Sequence, residues 1–247
     1  MAKKKRTSKP EPKLKILVSS AVYGYEDMLE SIYALLETFG YEVLMSHKGT
    51  LPVDPAETAL DCCLDAVKEC DLFLGIILPR YGSGKEGDDL SITHKEVIEA
   101  IDLNKPRWFL VHEHVAIARQ LLGQYRKKDG DGNDVRPFEF ETDMQYKRTS
   151  ILSDIRVIDM FELAMRHDQP KLKNRHGNWV QHYGPEDDAR LFVMAQFRRY
   201  RELAEKHLPK LKDKKTVKDK AIKKKTVEKK TVEKKKAVKK KVKGGKK

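Results

Sequence analysis

The side chains best suited to chemistry lie in one stretch of this 247-residue chain, DLFLGIILPRYGSGKEGDDLSITHKEVIEA, spanning residues 71–100. Residues 72–78 form an unbroken apolar run ended by Pro79, the pattern of a strand covered on both faces. Gly82, Ser83, Gly84 and Gly87 follow, and glycine-rich backbone can take positive φ and approach a ligand closely. Ser91 or Thr93 can cap the next helix, which puts Glu96 in its first turn. That position lies outside the carboxyl end of a parallel strand, where open α/β sheets bind ligands. Glu96 is therefore the first candidate for catalysis. The alternative is that its charge only complements the helix N-terminus.

Other reactive side chains form weaker patterns. His112 and His114 end a predicted strand on the same side, and His176 or His182 would have to supply a third metal ligand. No spacing in the chain supports such a set, so no metal is expected. Cys62, Cys63 and Cys70 fall within one predicted helix, an odd number that argues for free thiols in a reducing compartment. In DGDGN, counting from Asp129 puts Phe140 where a calcium loop needs glutamate, so this is a solvated turn. Neither GxGxxG after the first strand nor GxxxxGK[ST] occurs, which disfavours a dinucleotide fingerprint or a triphosphatase loop. No cofactor is expected.

The elements that must position these residues alternate between strand and helix. Strands are predicted at 14–20, 41–45, 72–78 and 107–111, with helices at 26–39, 56–70 and from Ser91 to Asn104. A helix at 114–125, a fifth strand at 155–160 followed by a short helix to Arg166, a polar loop at 168–183 and a closing helix at 186–207 complete the series. Short connections between alternating elements imply a doubly wound parallel sheet.

Charge divides the chain. Residues 210–247 hold 20 lysines against four acidic residues, and residues 1–15 hold seven basic residues against one, whereas residues 16–209 carry 33 acidic and 24 basic ones. An acidic domain between two basic tails is the expectation. The leader, 1–13, reads as disordered, and its KKKR is either an import patch or solvated charge. In the tail, 210–247, apolar residues recur every five positions, which winds around a helix without forming a stripe. A disordered lysine-rich tail either binds nucleic acid or another polyanion, in a sequence-blind and salt-sensitive way, or serves solubility. Without an apolar leader segment or an 18-residue apolar run, a soluble cytoplasmic protein is expected.

Three blocks, KILVSSAVYGYEDMLESIYALLETFGYEV, CDLFLGIILPRYGSG and SITHKEVIEA, resemble in order and spacing the bacterial family of domain of unknown function 4062, over roughly residues 14–112. That family is similar in fold to the Toll/interleukin-receptor and nucleoside 2-deoxyribosyltransferase group. The resemblance implies a flavodoxin-like α/β domain at 14–165, followed by a loop and α-helical extension at 166–209. Thr93, Glu96 and Ala100 fall in register with the transferase pattern D-x-G-T-x-x-E-x-G-x-A, whereas Leu90, Ile92 and Ile98 depart from it. The resemblance implies that Glu96 is the catalytic carboxylate. Ser19, Ser20 and Tyr23, after the first strand, would then hydrogen-bond ribose or phosphate. Tyr81, Gly82, Ser83 and Thr93 would face them, with Arg80 on a phosphate.

Two functions follow as expectations. One is an N-glycosidic-bond hydrolase or transferase acting on NAD, a nucleotide or a nucleoside, in bacterial defence or stress signalling, with NAD as substrate and not as cofactor. The other is a non-catalytic, self-associating signalling module held to nucleic acid by its tail.

Overall fold

The structure, a computed structural model, describes residues 13–83, 90–142, 145–169, 171–175 and 177–207. The basic leader up to residue 12, Gly84, Gly87, His176 and the lysine-rich tail lie outside the described residues. Elements alternate in chain order as β1 Lys15–Ser20, α1 Glu26–Thr38, β2 Glu42–Leu44, α2 Ala59–Glu69, β3 Leu72–Ile77, α3 Ile92–Asp102 and β4 Arg107–His112. There follow α4 Glu113–Leu122, α5 Arg156–Ala164, β5 Asn178–Tyr183 and α6 Glu186–Phe197. All strand pairs are parallel, in the order β2-β1-β3-β4-β5. This is the flavodoxin-like order, with its topological switch point between β1 and β3.

The central strand β3 is buried along all six residues. Gly75 at its middle is required by packing: a Cβ there would come within 2.7 Å of the Phe109 ring on β4. On one face, side chains of α2, α3, α4 and α5 form a single apolar cluster with Leu17, Phe73, Phe109 and Val111. On the other, α1 packs against α6 through buried Met28, Ile32 and Leu36 on α1, and Ala189 and Val193 on α6. Tyr41 donates a hydrogen bond to the Phe197 carbonyl at 3.0 Å, and the Leu14 amide donates to the Tyr200 hydroxyl at 3.1 Å.

Two elements differ from the sequence reading. Residues 155–160 were expected as a strand and instead open α5, because Val157, Ile158, Phe161 and Ala164 are buried at helical spacing that continues past the six-residue window. The fifth strand is NWVQHY, within the stretch expected as a polar loop. It lies at the sheet edge, where β4 satisfies its backbone from Asn178 to Tyr183 and its outer side needs no apolar cover. Tyr183 is buried while Trp179 is 60% exposed. The α/β domain therefore does not stop at 165, because β5 and α6 come from residues 178–197, within the stretch expected as a loop and helical extension. The closing helix ends at Phe197, where 186–207 was expected, and residues 201–207 are helical as a separate unit.

Candidate active site

Glu96 owes its place to the register of α3. Ser91 caps this helix, its hydroxyl accepting from the His94 amide at 3.3 Å, and Thr93, Glu96, Val97 and Ala100 make the buried stripe. With Ile92 as the first helical residue, Glu96 stands in the second turn and not the first. It faces the interior, so it does not serve to complement the N-terminus. Its residue is only 6% exposed. Ser19, at the carboxyl end of β1, donates a hydrogen bond to its Oε2 at 2.5 Å, and the Cys63 side chain of α2 provides a second hydrogen bond.

Burial pushes the Glu96 carboxyl up to about 7, with the bonds from Ser19 and Cys63 pulling in the opposite direction. The Cys63 thiol is itself pushed up to about 12 by burial and by Glu96, so it stays protonated as a donor. Because the folded value lies above the ordinary 4.5, the stability linked to this group is complete below pH 4.5 and is lost as the pH rises through about 7. Glu96→Gln is accordingly expected to unfold at a higher urea concentration than the native chain at pH 8, by up to about 3 kcal/mol, and to lose that advantage near pH 4.5. Equal urea midpoints at pH 8 would contradict the assigned burial cost. Cys63→Ala is expected to move the Glu96 titration upward, by under one pH unit for a hydrogen bond of about 1 kcal/mol, read from the carboxyl carbon by NMR.

Above Glu96 opens a cavity of about 620 Å³, a volume suited to a small-molecule ligand. It lies past the carboxyl ends of β1, β2 and β3. Ser20, Tyr23, Arg80, Tyr81, Gly82, Ser83, Thr93 and Glu96, all singled out from the sequence, line it together. Ser19 is not in the lining; it is buried behind Glu96 and acts on it alone. Tyr23, 79% exposed, stands at the mouth. Gly82 has φ +88°, and a Cβ there would sit 3.4 Å from the Thr93 hydroxyl.

The Tyr81 wall is held on several sides. Its hydroxyl pairs with His94 Nδ1 at 2.8 Å, its amide donates to the Ser153 hydroxyl at 2.9 Å, and Arg156 lies 4.8 Å from its ring centroid. Burial lowers His94 to about 4, so its imidazole is neutral at pH 7. Sequence reasoning missed Ser46, Ala59, Cys63, Arg148, Ser153 and Asp154, which also line the cavity. The last three come from the irregular segment before α5, tied down where the Ser153 amide donates to the Pro79 carbonyl at 2.9 Å. No local pattern announces such a contact across 74 residues of chain separation.

The histidines at the end of β4 pack and cap. His112 Nδ1 accepts from the His114 amide at the start of α4, and the His112 ring meets Tyr25 and Tyr183 edge-on. His182 lies against Phe161. Among the described residues no three His, Cys, Asp or Glu side chains are grouped to hold a metal ion. Asp129 Oδ1 accepts the amides of Asp131 and Asn133, as in a polar turn. Among the same residues no helix is long and apolar enough to cross a membrane.

The structure is similar to that of the CMP N-glycosidase BcmB of Clostridium botulinum, with 16% identity over 72% of this chain and 97% of that one, at a TM-score of 0.36. It is also similar to a 2-desoxiribosyltransferase from Leishmania mexicana, with 17% identity over 62% and 97% of the two chains, at a TM-score of 0.31. No curated protein sequence matches the chain. One family model does match, over residues 15–170, from the first residue of β1 to beyond α5, and this span holds every residue lining the cavity. The chain therefore belongs to the family described as a domain of unknown function, DUF4062.

Proposed function

We propose that this protein cleaves an N-glycosidic bond of a nucleoside, a nucleotide or NAD, passing the sugar to water or to an acceptor hydroxyl, with Glu96 as the catalytic carboxylate. The observation that carries this reading is the buried Glu96, bonded to Ser19 and Cys63 and facing a ligand-sized cavity at the switch point of the sheet. An ionisable group buried at a cost to stability, in a cleft and without a cationic partner, is a candidate for a functional site, which supports this reading.

The chemistry needs little more. As the C1′–N bond breaks, its electron pair leaves on the base nitrogen and positive charge builds on the sugar. The ionised Glu96 stabilises that charge or bonds to C1′. Water or the acceptor hydroxyl then bonds to C1′ as its proton passes to the departed base nitrogen, or to solvent where the base leaves neutral as nicotinamide does, and the carboxylate is restored. The bond from Ser19 holds one carboxylate oxygen in place, and Tyr81 and Thr93 line the cavity beside it. With a carboxyl near 7, turnover is expected to rise with pH through that value as Glu96 ionises.

The test is release of free base or nicotinamide from nucleosides, nucleoside monophosphates and NAD by the purified chain, beside Glu96→Ala. Release by the native chain and its loss in the folded variant supports the proposal. Absence of release from all three substrate classes overturns it.

A further inference from the structure

The cavity carries opposite charge at its two depths. At the floor is the Glu96 carboxylate. Nearer the solvent are two guanidinium groups, half-buried Arg80 from the loop after β3 and exposed Arg148 from the segment before α5. Several other arginines of the domain are matched to acids. Arg156 pairs with Asp154 at 2.8 Å, Arg166 with Asp168 at 3.1 Å, and Arg119 and Arg126 with Glu162 at 2.8 Å. Arg80 and Arg148 form no ion pair or hydrogen bond among the described residues, although both line the same cavity and residues 16–209 are acidic overall. Two cations with no ion-paired carboxylate among the described residues, at one cavity, are suited to an anion from outside.

We propose that Arg80 and Arg148 form an anion subsite for the phosphate of a sugar phosphate, so that the substrate is a nucleoside phosphate and not a free nucleoside. This rests on the glycosidic reading for the identity of the sugar but not for the subsite itself. A nucleoside phosphate matches the cavity at both ends. The sugar becomes positive in the transition state and meets Glu96, while the phosphate stays negative and meets the guanidiniums. The hydroxyl of Ser83 and the first turn of α3 at Thr93, whose partial positive charge favours anions, lie in the same lining. Recognition through the phosphate leaves the base free to vary.

The probe is ribose 5-phosphate against ribose, which carry no base and undergo no turnover, titrated into the full chain by NMR. Ribose 5-phosphate is expected to bind roughly 30-fold more tightly, as two charge-assisted hydrogen-bonding groups allow. The double variant Arg80→Gln, Arg148→Gln should lose that preference and leave ribose binding unchanged, with its fold checked by circular dichroism. Both side chains reach solvent, so their replacement leaves the core intact. Equal binding of the two sugars by the native chain, or a preference that survives in the double variant, overturns the subsite. Base release is measured separately. A chain that releases base from nucleosides without preferring ribose 5-phosphate keeps the glycosidic reading and loses this one. A chain that prefers ribose 5-phosphate yet releases no base does the reverse.

Discussion

Glu96→Gln is expected to lower base release by about 10³-fold, the scale of losing a preorganised charge or nucleophile from a water-poor site. The change keeps size and shape. Ser19 can still donate to the amide oxygen, so the side chain keeps its place on the buried stripe of α3. What disappears is the negative charge that the proposed reaction uses against the oxocarbenium-like sugar. Substrate binding should change far less than turnover, because ground-state contacts come from the walls and the rim. The same variant is expected to be more stable than the native chain at pH 8. Loss of activity together with gain of stability is the mark of a group held against its own folding cost. Reduced activity accompanied by reduced stability would instead point to damaged packing. A fall of less than tenfold in turnover would remove Glu96 from the chemistry.

The largest expected loss of stability comes from Glu162→Ala. Glu162 lies on α5, only 3% exposed, and receives Arg119 Nε at 2.8 Å, Arg126 Nη1 at 2.8 Å and Arg136 Nε at 3.2 Å. Burial alone would raise its carboxyl, but the hydrogen bonds and charges of Arg126 and Arg119 outweigh it and hold the group below its ordinary value. Arg126 is 1% exposed, lies 4.7 Å from the Phe138 ring centroid and has Nη2 without a hydrogen bond. Removing the carboxylate strands this cation in the interior. Asp159 is a poor substitute, because its Oδ1 lies 3.9 Å from Arg126, beyond hydrogen-bond reach, and already accepts the Phe138 amide at 2.8 Å. The expected cost is about 3–5 kcal/mol, a large part of a typical domain's stability, read from urea unfolding at pH 7. A loss below about 1 kcal/mol would show that water reaches Arg126 in the folded chain. Because Ser153, Asp154 and Arg156 lead into α5, the same variant should also loosen the Tyr81 wall and weaken substrate binding.

Local pattern was enough to read most of what positions the site. The apolar run of β3, the stop at Pro79, the glycines after it and the polar start of α3 placed a carboxylate at the carboxyl edge of a parallel sheet, because each is a short-range steric or hydrogen-bonding signal. The strand–helix alternation likewise implied the doubly wound sheet through β4. Short-range signal ran out after that. Residues 155–160 satisfy both strand and helix over six positions, and only the buried partners of α5 decide between them. NWVQHY carries too little apolar content to announce itself, and it becomes a strand because β4 offers an unpaired edge. The rest of the site depends on chain-distant contacts. Cys63 reaches Glu96 only because α2 packs beside α3, and Arg148, Ser153 and Asp154 reach the cavity only because the segment before α5 folds back onto Pro79. The carboxylate itself is visible in the residue string, but its burial, its bonds to Ser19 and Cys63 and hence its proton affinity are properties of packing, since desolvation depends on what surrounds a group in space and not on its neighbours along the chain.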